Sequence, residues 1–410
     1  ESDTTRAVYG AVGSAVGTSA GVLGALLFMG GVYLLNRSMI KRRIRRDTGH
    51  KTDSYGTVFK TIIGMVTPII LSTFIYNFST SLNQTIYSGI LSGIKNVAEP
   101  EIATMYGIFA GKAVVISNIP IALASAMSAA IIPAVSASFA VGDSEAVRQK
   151  IGQAVRTTML ISIPSAIGLI VLAKPITQLL FPQRASLEQA SMLLASIGIT
   201  VVLYGLSTIT NGVLQAVGQV NRPVINALAA LIVQTLVLVG LLLYTDMNLY
   251  ALSVAMIVYS LLMCLLNQVA VRRALQYKQE LVKTFCKPLM AAVLMGILAG
   301  GVYEGVYYLL PVNVCALAAS LLVAGVTYFA AVMALGGVEE ADLRQLPKGT
   351  LLISIGRKCY LLRDPENVAA ARPVKGKRKS RKKREKADSK QKNSAKSDRK
   401  GEKNDTGNED

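Results

Sequence analysis

Nine nearly uncharged, apolar runs make up most of this sequence, and each is long enough to cross a lipid bilayer as a helix. A spanning helix needs about 20 residues. Gly, Ala, Leu and Ser dominate these runs, and the strict alternation that is typical of barrel strands is missing. The sequence therefore predicts an all-α membrane protein with about nine transmembrane helices. The runs cover roughly residues 7–35, 60–92, 103–138, 155–182, 187–216, 223–244, 249–271, 287–309 and 313–336.

The distribution of positive charge predicts how these spans are oriented. Loops on one side carry 17 Lys and Arg residues before the C-terminal tail, eight of them within 36–60 and five within 272–287. The opposite ends carry only Arg6, Lys95, Lys174 and Arg184. By the positive-inside rule, the basic side faces the cytosol. We expect a multi-pass protein of the cytoplasmic membrane whose first span begins outside and whose C-terminus is cytosolic.

Chemistry based on cysteine, histidine or a metal ion is not indicated. The four cysteines have no metal-binding spacing, and the single histidine, His50, lies in a basic loop without ligand partners. Residues 372–410 carry 16 Lys and Arg against 7 Asp and Glu, with almost no apolar residue, which predicts a disordered tail. This tail lacks aromatic residues to stack on bases, so we expect it to be solvated or attracted to anionic headgroups, and we predict no nucleic-acid partner.

Polar side chains recur at helical spacing inside several spans. The stripe of the second span consists of Thr73, Asn77, Ser81, Gln84 and Ser88. The stripe of the fifth span consists of Thr200, Tyr204, Ser207 or Thr208, Asn211 and Gln215. Two interpretations remain open, because such a stripe either hydrogen-bonds to a neighbouring helix or faces a water-filled cavity. Further polar residues in the sixth and seventh spans favour a shared aqueous chamber.

Lys112 is the only charged residue between Glu101 and Asp143. At 1.5 Å per residue, it lies about 15 Å along its span from the outer end. A lysine at that depth either extends to the outer headgroups or faces water and an anion. Asn118 lies further along the same span, and Pro68 and Pro120 predict helix kinks. The predicted substrate-cavity residues are Lys112, Asn77, Ser81, Gln84, Asn118, Asn211 and Gln215.

Three segments carry a family resemblance. They are SNIPIALASAMSAAIIPAVSASFAVGD (117–143), YGLSTITNGVLQAVGQVNRPVINALAALI (204–232) and ADLRQLPKGTLLISI (341–355). They resemble the polysaccharide-biosynthesis and lipid-linked oligosaccharide flippases of the multidrug/oligosaccharidyl-lipid/polysaccharide exporter superfamily. Within it, the chain is most similar to the branch of stage V sporulation protein B and the lipid II flippases.

The resemblance implies two six-helix lobes around a central cavity, followed by two further helices, and it assigns each part of the chain. It also implies that an upstream portion with five more helices is missing. The implied parts are the last helix of the N-terminal lobe (1–36), a basic cytosolic interlobe linker (37–59), a six-helix C-terminal lobe (60–272), a basic cytosolic loop (273–286), two additional helices (287–336), a membrane-proximal cytosolic segment (337–371) and the basic tail (372–410).

The function implied by the resemblance is export by alternating access and not catalysis. The cargo would be a polyprenyl-pyrophosphate-linked sugar, such as a cell-wall precursor, and Lys112 is the candidate to attract the pyrophosphate. Implied partners are this lipid, anionic headgroups at the basic loops and the missing lobe; no cofactor is expected beyond a coupling ion or the membrane potential.

Two alternatives remain. One is an ion-coupled drug exporter, which is disfavoured because the six-helix lobe has no carboxylate inside its spans. The other is a membrane glycosyl- or acyltransferase, which needs an acid or base and usually a sizeable exterior loop.

Overall fold

The structure is a computed structural model that describes residues 3–46, 54–181 and 184–338. All regular secondary structure in these ranges is helical. The α-helices are α1 (Asp3–Arg46), α2 (Tyr55–Gly93), α3 (Glu99–Ile108), α4 (Val114–Ala140), α5 (Ser144–Val171), α6 (Ala173–Leu180), α7 (Leu187–Ile197), α8 (Thr200–Ala216), α9 (Asn221–Tyr244), α10 (Leu249–Leu275), α11 (Lys287–Leu309) and α12 (Asn313–Ala334). Short π-helical turns, Phe109–Ala113 and Val282–Cys286, precede α4 and α11, and a 3₁₀ turn, Arg184–Ser186, precedes α7.

The number of membrane-spanning helices agrees with the sequence. In the described ranges, eight helices are long and apolar enough to cross a membrane, and the bent pair formed by α7 and α8 adds a ninth. The prediction of an all-α membrane protein with about nine spans is therefore confirmed.

The predicted span 187–216 is not one straight helix. It is divided at Gly198 and Ile199 into α7 and α8, which meet at an angle of 44°. A side chain at Gly198 would stand 2.6 Å from the Ile170 side chain, so the break brings the backbone close to α5. Glycine permits this approach because it has no Cβ.

Several helices extend beyond the predicted apolar runs, and α5 begins eleven residues before the predicted run 155–182. The helix α1 continues to Arg46, and α2 begins at Tyr55, so helix occupies much of the predicted linker 37–59. Arg and Lys are good helix formers, and basic residues in a last turn interact favourably with the helix dipole. Pro68 and Pro120 lie inside the continuous helices α2 and α4. The predicted basic tail and most of the membrane-proximal segment, from residue 339 onward, lie outside the described residues.

The chain divides into two compact units, Glu1–Val66 and Thr67–Asp410. The first unit contains α1 and the first turns of α2. In the second unit, α8 packs against α4, α5 and α10, while α11 pairs with α12 and packs on α5. Met159, Ile209 and Leu214 are fully buried in this core. The amphipathic face of α8 is thus enclosed on several sides, which brings its polar residues close to neighbouring helices.

Two clusters of polar contacts fix connections at opposite ends of the second unit. At one end, the ammonium group of Lys95 donates to the carbonyl oxygen of Thr245 (2.9 Å), to Asp246 Oδ1 (3.2 Å) and to Asn248 Oδ1 (3.4 Å). This joins the connection after α2 to the connection after α9.

At the other end, α5 anchors the connection between α10 and α11. Arg148 Nε donates to the carbonyl oxygen of Leu275 (3.0 Å), and Arg156 Nη1 forms an ion pair with Glu280 Oε2 at 3.5 Å. Burial, reinforced by the charge of Glu280, raises the pKa of Tyr277 to about 12, although Arg156 acts against this rise.

Candidate functional site

A polar cavity of about 380 Å³ lies within the second unit, between α2, α4, α8, α9 and α10. Apolar side chains such as Ile121 and Met263 form the remainder of its wall, and none of the residues that line it carries a formal charge. We refer to this space as the polar cavity. Its polar and aromatic lining consists of Ser72, Thr73, Tyr76, Ser125, Ser128, Tyr204, Thr208, Asn211, Gln215 and Tyr259.

Three tyrosines from three helices meet at the polar cavity. Tyr76 of α2 contacts Tyr204 of α8 edge to face, with ring centroids 5.9 Å apart and ring planes at 89°. The centroid of Tyr259 on α10 lies 6.4 Å from that of Tyr76 and 6.3 Å from that of Tyr204. Such aromatic pairs add attraction beyond their buried area. Tyr204 and Tyr259 are buried, whereas Tyr76 is 37% exposed, so its ring is the most accessible of the three.

A chain of amides orients Asn211 at the wall of the polar cavity. The fully buried Asn267 donates from Nδ2 to Asn211 Oδ1 (2.7 Å) and accepts from Asn226 Nδ2 (2.8 Å). These bonds connect α8, α9 and α10 in a region where an unpaired amide is costly. Asn211 thus lines the polar cavity with its amide held in place by Asn267.

The fifth-span stripe is divided between packing and the cavity. Thr200 and Ser207 are buried; Thr200 donates to the carbonyl oxygen of Ile197 at the end of α7, and Ser207 donates to that of Tyr204 on α8. Thr208, Asn211 and Gln215 line the polar cavity. Within this stripe, Asn211 both accepts a hydrogen bond from a neighbouring helix and lines the polar cavity. The predicted residues Asn211 and Gln215 lie together in one cavity.

The second-span stripe does not converge on the same space. Thr73 lines the polar cavity, but Asn77 and Ser81 are exposed, and the Asn77 amide donates to the carbonyl oxygen of Thr73 on its own helix (3.0 Å). Gln84 and Ser88 line a separate space of about 460 Å³ together with residues of α3.

The polar groups of α2 that hold another helix lie beside this stripe. Gln234 of α9 accepts from Ser79 Oγ (3.1 Å) and donates to Asn83 Oδ1 (2.6 Å). Packing of α2 against α9 thus joins Gln234, a polar residue that the sequence singled out in the sixth span, to Ser79 and Asn83, which the sequence pattern did not single out.

Lys112 lies apart from the polar cavity. Its ammonium group donates to Ser186 Oγ (2.6 Å) and stands 5.6 Å from the ring centroid of Phe181, so it contacts the connection between α6 and α7. Both contacts are favourable for a half-buried cation. The structure therefore does not bring Lys112 together with Asn211 and Gln215. Asn118 is exposed and also lies outside the polar cavity.

Sequence reasoning missed the contributions of α4 and of two tyrosines. Ser125 and Ser128 line the polar cavity from α4, and Ser128 Oγ donates to the carbonyl oxygen of Thr208 (3.0 Å). Their spacing of three residues places them on one helical face, which the pattern could have indicated. No comparable spacing pattern marked Tyr76 and Tyr259, because aromatic residues in spans usually pack in the core.

The architecture and the site together define a multi-pass helical membrane protein with an uncharged polar cavity inside its helix bundle. Residues 5–311 match the family model described as "Lipid II flippase MurJ", and the chain belongs to this family. Family membership confirms the resemblance found in the sequence.

Two solved structures are similar to the chain. One is titled "Lipid II flippase MurJ, inward closed conformation"; it is 18% identical, with a TM-score of 0.47, and the match covers 74% of this chain and 59% of that one. The other is titled as an outward-facing multidrug resistance MATE family transporter of the MOP superfamily; it is 14% identical, with a TM-score of 0.40, and the match covers 72% of this chain and 69% of that one. The chain thus spans about three fifths of the length of the MurJ structure. No curated protein sequence matches significantly.

Proposed function

We propose that the protein moves a polyprenyl-pyrophosphate-linked sugar, such as lipid II, across the cytoplasmic membrane by alternating access. The observation that carries the proposal is the match of residues 5–311 to the lipid II flippase family. The polar cavity supports it, because a hydrophilic headgroup needs polar surroundings to cross the hydrocarbon region.

In this mechanism, residues 60–272 form one lobe, which moves against an N-terminal lobe of the same polypeptide about the basic segment 37–59. The sugar enters polar surroundings inside the protein, while the prenyl chain stays in the lipid. A coupling ion or the membrane potential supplies the free energy. The basic loops lie at the cytosolic surface, where anionic headgroups attract Lys and Arg. The 17-to-4 asymmetry of basic residues supports this orientation.

Lys112 is proposed to attract the pyrophosphate. It is the only basic residue between Lys95 and Asp143, and a pyrophosphate inside a membrane protein requires cationic partners. Its contacts with Ser186 and Phe181 hold the ammonium group near the connection that follows α6. In this proposal, the pyrophosphate passes this position separately from the polar cavity.

Complementation tests the proposal directly. The complete gene that encodes this chain is expressed in bacteria depleted of their own lipid II flippase, and growth is measured together with the fraction of lipid-linked precursor accessible at the outer surface. We expect both to be restored.

If the protein inserts into the membrane but restores neither growth nor the accessible precursor, the proposal is wrong. The drug-exporter alternative predicts a different result, namely lower accumulation of a cationic dye without restored growth.

A further inference from the structure

We propose that a basic pocket between α5 and the end of α10 binds the phosphate group of an anionic phospholipid from the cytosolic leaflet. The basic pocket has a volume of about 290 Å³. Its lining includes Phe139, Gly142, Ser144, Arg148, Arg273 and Gln276. The inference rests on the orientation given under the proposed function, which places this end of the helices at the cytosolic surface. It concerns a lipid of the surrounding membrane and assigns no part of the cargo.

The charge of the basic pocket selects an anion. Arg148 of α5 and Arg273 of α10 line it, and no Asp or Glu among the residues that the structure describes does so. In the described part of the chain, Arg273 makes no hydrogen bond and no ion pair. Arg148 Nη1 lies 3.9 Å from Glu145 Oε2, but an exposed pair at this distance contributes little. A phosphate group bound here would therefore supply Arg273 with the partner for which guanidinium geometry is suited.

Packing of the connection after α10 on α5 holds the two arginines at one pocket. Arg148 Nε donates to the carbonyl oxygen of Leu275 (3.0 Å). Tyr277 is buried, and its Oη would lie 3.4 Å from a Cβ added at Gly152 of α5. Between these two contacts, Gln276 has a φ of 51°, a left-handed conformation that a residue with a side chain adopts only where its surroundings stabilise it. The basic pocket is therefore built by two packed elements.

Apolar side chains next to the basic pocket favour a lipid over a free phosphate ion. Phe139 lines the pocket and is 47% exposed, and Val141 in the turn that follows α4 is 84% exposed. Leu281 and Val282, in the connection to α11, are also exposed. Acyl chains would remove these groups from water, which a soluble ion does not do. The volume equals roughly that of ten water molecules, so a phosphate group can enter while its acyl chains stay outside.

The test titrates the complete, purified protein in detergent micelles with phosphatidylglycerol and follows its melting temperature, which gives the half-saturating lipid fraction. The ionic strength is about 0.15 M, where the Debye length of about 8 Å screens diffuse attraction. Phosphatidylcholine, whose phosphate is neutralised by its own choline group, and inorganic phosphate are the comparison ligands. Arg273→Gln removes one proposed contact. Arg272→Gln is the matched control, because it removes the same charge from the same last turn of α10 but does not line the pocket.

We expect phosphatidylglycerol to raise the melting temperature of the wild type by several degrees, and both comparison ligands to have little effect. Arg273→Gln should raise the half-saturating fraction about tenfold, as expected for the loss of a charge-assisted hydrogen bond, and Arg272→Gln should change it by less than about twofold.

Three results would overturn the proposal. Equal effects of the two variants would show diffuse attraction without a site, and equal stabilisation by phosphatidylcholine would show that the headgroup charge is not read. Equal stabilisation by inorganic phosphate would assign the basic pocket to a free ion and not to a lipid. None of these results alters the complementation experiment, so the flippase proposal stands or fails separately.

Discussion

At the scale of single residues, Lys112 shows how a charge is accommodated in an apolar segment. Its ammonium group combines a hydrogen bond to Ser186 with a position over the ring of Phe181. Both partners lie about 70 residues further along the chain, so the sequence pattern around Lys112 contained no sign of them. These contacts explain why a lysine is tolerated here.

Three variants of the complete protein test the role of Lys112 in flippase-depleted cells. We expect Lys112→Ala to abolish growth, because it removes the positive charge, and Lys112→Arg to preserve part of it. Ser186→Ala removes the hydrogen-bond partner but keeps the charge, so it should grow nearly as wild type. Growth of Lys112→Ala at the wild-type rate would reduce Lys112 to a surface anchor. Equal loss of growth in Lys112→Ala and Ser186→Ala would instead show that Lys112 serves to hold the connection before α7.

At the scale of elements, the close approach of α8 to its neighbours depends on two glycines. A Cβ at Gly205 would stand 2.6 Å from Ser162 Oγ of α5, and a Cβ at Gly212 would overlap Ser128 Oγ of α4. Small residues at helix interfaces permit such contacts, which provide much of the packing energy when the surroundings are lipid. The position of α8, and with it that of Asn211 and Gln215, therefore depends on the absence of two side chains.

Gly212→Ala should lower the melting temperature of the purified protein by several degrees, because overpacking typically costs about 1–3 kcal/mol. Ser128→Ala removes the overlapping oxygen, so the double variant Gly212→Ala with Ser128→Ala should recover most of the loss relative to Ser128→Ala alone. Gly240→Ala on α9 is the matched control, since no atom lies within 4 Å of the added carbon. The proposed interface is contradicted if Gly212→Ala and Gly240→Ala have equal effects.

At the scale of the whole molecule, orientation in the membrane follows from charge. The helix α11 has 23 residues, which is about 35 Å at 1.5 Å per residue, enough to cross the hydrocarbon core. Two exposed cysteines bracket it: Cys286 directly precedes it beside a basic loop, and Cys315 lies in the first turn of α12. If the basic side is cytosolic, these thiols lie on opposite sides of the membrane.

Labelling of intact cells with a membrane-impermeant maleimide tests this orientation. The other two cysteines, Cys264 and Cys359, are replaced by serine, and Cys286 and Cys315 are retained one at a time. We expect Cys315 to react in intact cells and Cys286 to react only after permeabilisation. The reverse pattern would invert the proposed topology and place the C-terminus outside.

Much of the fold was predictable because membrane insertion depends on local composition. A run of about 20 apolar residues is a helix in lipid whatever its neighbours are, since its backbone must satisfy its own hydrogen bonds. For this reason the number of spans agrees with the sequence, although α1 ends eleven residues beyond the predicted run 7–35 and α5 begins eleven residues before the predicted run 155–182. The break at Gly198 was not predicted, because it depends on Ile170, a residue from another helix.

The candidate site was predictable only in part. Helical spacing placed Thr208, Asn211 and Gln215 near one face of α8, and all three line the polar cavity. The same spacing on α2 gave a stripe that the structure divides between the polar cavity, exposed positions and a second space. Periodicity defines the face of a helix, but it does not say what that face meets.

The sequence by itself determined the number of spans, the membrane class and the family, because hydrophobicity and motif residues act within single segments. Only the tertiary structure decided that tyrosines from α2, α8 and α10 meet beside two amides of α8, and that Lys112 lies elsewhere. The physical reason is that a cavity is the space between helices. Its position depends on which side chains let two backbones approach, and those contacts join residues far apart in the chain.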